Sequence, residues 1–176
     1  MGLLQERLKQ GIKKALDENF VQTLVIAALI IITSMFVVHF ATYKPERYSA
    51  IGLLNENKQT GPFPDTIEYN GTLNLYVNVL NRLGQPELFR VRAIVGNNDT
   101  EINESTGAVI DGSVIETSEN LVNQGEDWEL LSSITFNASL VGQKKVIFDL
   151  WQYNAAIGQY NYLNQSVHIW IEVLPT

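Results

Sequence analysis

The sequence predicts a mainly β protein: one N-terminal transmembrane helix, then an immunoglobulin-like antiparallel β-sandwich. Two observations predict it. Residues 21–42 read VQTLVIAALIIITSMFVVHFAT and contain no Asp, Glu, Lys or Arg. Beyond them the apolar residues recur with period two in short runs separated by turn residues, the pattern of strands with one face buried.

The apolar run comes first. A bilayer core of about 30 Å needs about 20 helical residues, so the run is long enough to cross. A core helix of a soluble domain would keep a polar stripe, and this stretch has none. A cleaved signal peptide has an apolar region of about 7–15 residues and a small-x-small site. This run is longer, His39 occupies the second position before Ala41, and nineteen polar-rich residues precede it. The expected organisation is a cytoplasmic leader over 1–19, a signal-anchor helix over 20–43, a connector with the first strand over 44–66, and the rest of the sandwich over 67–176.

In the leader, Leu4, Leu8, Ile12, Ala15 and Leu16 recur at helical spacing, so part of it is expected to form an amphipathic helix. Gly11 weakens that helix. His39 and Tyr43 fall at the outer end of the spanning helix, where a polar ring reaches the interface. The span holds no Gly-x-x-x-Gly pair for helix dimerisation.

Orientation rests on charge and on acceptor triplets. The leader carries Arg7, Lys9, Lys13 and Lys14. Residues 43–176 carry eight basic and sixteen acidic groups, a weak bias toward a cytoplasmic N-terminus. Asn-x-Ser/Thr triplets begin at Asn70, Asn98, Asn103, Asn137 and Asn164, all after the span. Chance placement of Asn and Ser/Thr from residue 70 onward gives about 1.6 such triplets, so five point to glycosylation of an exported domain. There is no cysteine and hence no disulfide framework.

Strands are expected at Tyr48–Leu54, Thr66–Tyr69, 72–80, 88–95, 129–136, 145–151 and 166–174. Gly61-Pro62-Phe63-Pro64 is a turn, and Arg82–Pro86 reads as a hairpin turn. Residues 96–127 read as a long polar insertion with a short strand at Ala108–Ile115. Asn154–Asn164 reads as a hairpin tip. Seven or eight short strands suit two packed sheets.

The chemistry expected from the sequence is sparse. His168 is the one histidine after the span, and no Gly-x-Ser-x-Gly elbow accompanies it. No phosphate-binding glycine loop is present. The stretch GNNDTEINE offers Asn97, Asp99, Glu101 and Glu104 to calcium, but an EF-hand beginning at Asn97 would want Gly and Glu where Ile102 and Ala108 stand. No catalytic, cofactor-binding or metal residue is therefore assigned, and no cofactor. The net −8 of residues 43–176 argues against nucleic acid. Trp128, Trp151 and Trp170 with Tyr153, Tyr160 and Tyr162 read first as packing and sheet-edge cover, with a sugar-binding face as the alternative.

The strand LNLYVNVLN followed by FRVRAIV, the turn and strand GEDWELLSSITF, and the paired KKVIFDLWQY and SVHIWIEV follow YSAIGLL and a membrane helix. In this order they resemble an archaeal membrane-protein family known as domain of unknown function 1616, over roughly residues 47–174. Members of that family often carry several spans where this chain has one. The resemblance implies an extracytoplasmic sandwich of the archaeal envelope and brings no activity or catalytic residues.

The expected function is a membrane-anchored structural or binding module of the cell envelope, not an enzyme. Its expected partners are the bilayer, surface-layer or membrane-complex proteins, and glycans. A pilus- or archaellum-type component is the first alternative, although Asp17, Glu18 and Asn19 stand where such subunits carry a basic residue and Gly. The second is action on surface glycans through the carboxylates Asp127 and Glu129.

Overall fold

The computed structural model describes residues 18–44, 46–137 and 140–175, together with 3, 5–7, 10 and 11. The chain divides into two units, Met1–Pro45 and Glu46–Thr176.

In the first unit, helix α1 runs over Glu18–Thr42. Its stretch Phe20–Thr42 is long and apolar enough to cross a membrane, and none of it is buried. At 1.5 Å per residue it is about 35 Å long. Leu24, Ile26, Ile30, Met35, Val37 and Phe40 are all exposed. A surface like this is stable only where something other than water covers it. At its end the Thr42 hydroxyl donates to the Val38 carbonyl (2.7 Å). The His39 ring lies 6.2 Å from that of Tyr43. Residues 3, 5–7, 10 and 11 are helical. The amphipathic stripe expected of Leu4, Leu8, Ile12, Ala15 and Leu16 lies outside the described residues.

The second unit is the sandwich. Its strands are β1 Tyr48–Leu54, β2 Thr66–Glu68, β3 Thr72–Arg82, β4 Glu87–Ile102, β5 Val109–Val122, β6 Asp127–Thr135, β7 Gly142–Asn154 and β8 Gln159–Leu174. One sheet has the order β1-β3-β6 and the other β2-β8-β7-β4-β5. All neighbours are antiparallel except β2, which runs parallel to β8. The chain thus changes sheets between β1 and β2, as the first strand of an immunoglobulin-like sandwich can. That crossing holds a cis Gly61–Pro62 peptide. It is pinned by the buried Asn55, whose carboxamide accepts from the Asn57 and Gln59 amides and donates to the Pro62 carbonyl.

The period-two pattern builds the core. Leu73, Leu75, Val77 and Val79 of β3 face Phe89, Val91, Ala93 and Val95 of β4, Val146, Phe148 and Leu150 of β7, and Ile169, Ile171 and Val173 of β8. Their burial excludes water from the space between the sheets and is the main stabilising term.

Three expectations are corrected. Arg82–Pro86 does not close a hairpin, because β3 pairs with β1 and β6 while β4 lies in the other sheet; the turn carries the chain between sheets. The polar insertion of 96–127 is mostly strand, since β4 continues to Ile102 and β5 spans fourteen residues. β5 is an edge strand with both faces largely exposed, so it shows no apolar alternation to read. Asn154–Asn164 is not a loop throughout: β8 begins at Gln159, and the turn is closed by the Gly158 amide on the Asn154 carbonyl (2.9 Å).

Asn81 ties two inter-sheet turns together at one end of the sandwich. It is fully buried. Its Nδ2 donates to the carbonyls of Val122 (2.7 Å) and Gln85 (2.9 Å), and its Oδ1 accepts from the Leu83 amide (3.0 Å). Replacing it by Leu strands two carbonyls and an amide. We expect Asn81→Leu to lower unfolding stability by about 2–4 kcal/mol, read by urea denaturation of the detergent-solubilised chain. A loss under about 0.5 kcal/mol would contradict this role.

Candidate functional site

The outer face of the five-stranded sheet gathers most of the polar chemistry of the sandwich. The register sets Arg90 of β4 beside Trp151 of β7 and Glu119 of β5, and Trp151 beside Tyr162 of β8. Arg92 stands beside Asp149, and Lys145 beside Trp170. Alternation sends all of these away from the core.

Much of this face is roofed. Asp149 is fully buried and paired with Arg92, whose Nε lies 3.1 Å from both carboxylate oxygens. The Arg92 fork also donates to the Gly107 carbonyl (2.7 Å) in the β4–β5 connection, and Lys145 Nζ donates to the Thr100 carbonyl (3.3 Å). Gly107 has φ +64, and a Cβ there would overlap the Trp151 ring. Only glycine meets both demands without strain. Ile94 and Ile147 are buried under the same roof, so β7 is covered on both faces from Val146 to Leu150.

Beside the roof runs a ladder of cations and rings. The Arg92 guanidinium lies 4.4 Å from the Trp151 ring centre, and Trp151 packs on Tyr162 with centroids 5.4 Å apart. The Arg90 guanidinium lies 3.6 Å over Tyr160 and bonds Glu119 (2.6 Å). Tyr160 meets Tyr153 edge-on at 5.2 Å. Tyr160 and Arg90 hold the Glu119 carboxyl below its usual range. Burial, aided by Glu119, pushes the Tyr160 phenol up, and burial likewise raises Tyr162. Near the other end His168 meets Trp170 edge-on; burial, then Lys145, lowers its pKa.

This placement revises the expected aromatic face. Trp151, Tyr153, Tyr160, Tyr162 and Trp170 do share one side of the five-stranded sheet. Trp128 does not: it lies on β6 of the other sheet, half-buried against the core. A sugar stacks on a free ring face, but guanidinium groups already lie over Trp151 and Tyr160. The ladder therefore packs the outer layer, and Trp170, 38% exposed, is its open end.

Asp127 and Glu129 share a face of β6, as alternation requires, but each is tied to its own cation: Asp127 to Arg82 (3.0 Å) and Glu129 to Lys58 (2.5 Å). In the acidic stretch, Asn97 Oδ1 accepts from the Asp99 amide (2.8 Å). Among the described residues no three His, Cys, Asp or Glu come together as a metal site, so Asp99, Glu101 and Glu104 are not gathered there. The five acceptor asparagines, Asn70, Asn98, Asn103, Asn137 and Asn164, are all exposed.

Two features escaped the sequence reading. A cleft of about 500 Å³ lies between the β1–β2 crossing and the start of β3, with Asn55, Asn57, Gln59 and Asn74 around Phe63 and Leu73. Its only trace in the sequence is the carboxamide-rich run NENKQ before GPFP. The second is the free edge of β5, where Ile110, Val114, Ile115 and Leu121 are 43–61% exposed. Glu116 and Glu119 lie on that strand and no Lys, Arg or Pro does, so the usual devices that block edge pairing are few.

No protein-family model matches the chain, and no curated protein matches it. Among solved structures it is similar to the CARDB domain of a Pyrococcus furiosus protein in complex with di-metal ions (13% identity, TM-score 0.46), covering 74% of this chain and 90% of that one. A β-glucosidase from Listeria innocua (12% identity, TM-score 0.46) matches 74% of this chain, which spans 17% of the enzyme. The sporulation control protein Spo0M from Bacillus subtilis (12% identity, TM-score 0.40) matches over 72% and 49% of the two chains. The fold, one apolar N-terminal helix followed by an immunoglobulin-like β-sandwich, is that of a β-sandwich module.

Two outcomes follow from the outer face. Arg92→Leu leaves Asp149 buried without its cation, and we expect a loss of about 3–5 kcal/mol in denaturant unfolding, with Arg92→Leu/Asp149→Leu recovering most of it. Loss of the same size in the double variant would contradict the account. For His168 burial, then the Lys145 charge, holds the folded pKa below the ordinary value of 6.5. Above 6.5 the neutral ring stabilises in full; as pH falls through 6.5 toward the folded pKa, the unfolded chain takes up the proton first and stability drops. NMR titration of His168 should give a midpoint below 6.5, and a midpoint above it would contradict the cause given.

Proposed function

We propose that this chain is a single-pass protein of the cell envelope, with α1 as a retained signal anchor, the leader in the cytoplasm and the sandwich outside. In this reading the sandwich is a structural or binding module, not an enzyme. It holds surface-layer proteins or subunits of a membrane complex near the bilayer. Kinship with the archaeal family known as domain of unknown function 1616, and glycans on the acceptor triplets, belong to the same proposal.

The observation that carries it is α1, whose stretch Phe20–Thr42 is of spanning length, predominantly apolar and without Asp, Glu, Lys or Arg, and which precedes a β-sandwich in the chain. Supporting it, Arg90, Glu119, Arg92 and Asp149 of the outer sheet face and the β6 carboxylates Asp127 and Glu129 are committed to internal pairs. The contact surface in this reading is the β5 edge. Its free backbone groups and exposed Val114, Ile115 and Leu121 suit pairing with an extended segment of a partner, whose main chain supplies the affinity. The acidic edge selects a neutral or basic segment.

The test is chemical cross-linking in intact cells followed by alkaline extraction of membranes. We expect the chain to stay in the extracted membrane and to form discrete cross-linked complexes, which Val114→Lys with Leu121→Lys depletes at least threefold while the fold persists. A chain released by alkali, or complexes unchanged by the edge substitutions, would overturn the anchor or the contact surface respectively.

A further inference from the structure

The five acceptor asparagines are unequal. Asn98 depends on the Thr100 hydroxyl two residues on, which is buried and bonded to the Asn97 amide and the Asp111 carbonyl. The carboxamide oxygen of Asn103 is taken by the Ser105 and Thr106 amides and the Thr106 hydroxyl. The Thr72 hydroxyl that follows Asn70 pairs with Thr135 (3.1 Å). The triplet of Asn137 runs into residues outside those described.

Asn164 differs. β8 bulges here: Tyr162 pairs with Trp151 and Gln165 with Leu150, which leaves residues 163 and 164 without partners on β7. Asn164 takes the left-handed conformation (φ +54) that asparagine tolerates. The bulge lifts its side chain out of the ladder, exposed and free of hydrogen bonds to the described residues. Ser166 is exposed as well, its hydroxyl bonded to that of Tyr162 much as Thr72 is to Thr135, so what sets Asn164 apart is the cleft beside it. Tyr162, Asn164, Ser166, His168, Lys145 and Glu104 line one cleft of about 170 Å³, room for one pyranose ring. Its wall combines a half-buried aromatic ring with hydroxyl, imidazole, ammonium and carboxylate groups. A pyranose presents the same mixture, C–H faces and a rim of hydroxyls.

We propose that Asn164 carries an N-linked glycan whose first sugar packs in this cleft against Tyr162. The inference rests on the extracytoplasmic placement proposed above. In the transfer, Asn164 Nδ2 bonds to C1 of a lipid-linked sugar phosphate, the C1–O bond to the phosphate breaks, and Nδ2 loses one proton. The attached sugar then covers Tyr162 and joins the outer layer held by Arg92 and Asp149.

The test uses the full chain purified from its own membranes, beside the same chain made in a host without N-glycosylation. Glycopeptide mass mapping should find Asn164 modified. Asn164→Asp, which removes the acceptor amide but tolerates the same left-handed backbone, should lower the melting temperature of the glycosylated chain by about 2–4 °C and shift that of the unglycosylated chain by less than about 1 °C. An unmodified Asn164 overturns the inference, whatever the other four carry. A modified Asn164 whose substitution shifts both forms equally overturns the packing. Either failure leaves the anchored module standing, because alkaline extraction judges that separately.

Discussion

The ion pair of Arg92 and Asp149 is the interaction on which the outer side of the larger sheet depends. A carboxylate with no solvent exposure is tolerated only with a partner that neutralises it and fills its lone pairs. Arg92 does both and, through the same planar fork, reaches the Gly107 carbonyl. That bond holds the β4–β5 connection down over β7. Trp151 is then clamped between Arg92, Tyr162 and the bare Cα of Gly107. The five-stranded sheet thus has two covered faces along β7: a wide apolar one toward the three-stranded sheet and a narrower, charge-pinned one outside.

This arrangement decides what the surface can offer. Rings and carboxylates committed to internal pairs are poor tools for binding or catalysis, which leaves the sheet edge, the clefts and the bulge at Asn164 as free surface. Edge strand β5 is long, lacks Lys and Pro, and exposes aliphatic side chains. The other edge of the same sheet, β2, is three residues long. An asymmetry of this kind directs contacts to one side of the module.

Much of the architecture was legible because alternation survives wherever one face of a strand is buried. β1, β3, β7 and the end of β8 are read from YSAIGLL, LNLYVNV, VIFDL and VHIWIEV, and α1 from its unbroken apolar run. β5 was not legible: an edge strand exposed on both faces leaves no period in its side chains. The turn at 82–86 has the composition of a hairpin, and only non-local pairing of β3 with β6 makes it a crossover. Asp149 alternates as a solvent-facing residue, and nothing near it in sequence announces the roof supplied by residues far up the chain. The aromatic set was legible as a group, but Trp128 falls on the other sheet, because its membership depends on which sheet β6 joins. The acceptor triplets were legible as motifs, whereas their inequality comes from hydroxyl burial and one bulge.

The central claim is that α1 holds the sandwich on the far side of a membrane from the leader. The chain has no cysteine, so single cysteines report position without background. Cysteine in place of Gln10 and, separately, of Leu131, which is 49% exposed, would be treated in intact cells with a membrane-impermeant maleimide. The account predicts labelling at 131 in intact cells and at 10 only after the cells are opened. Labelling at 10 but not 131 in intact cells, or equal labelling of both only after opening, would contradict it.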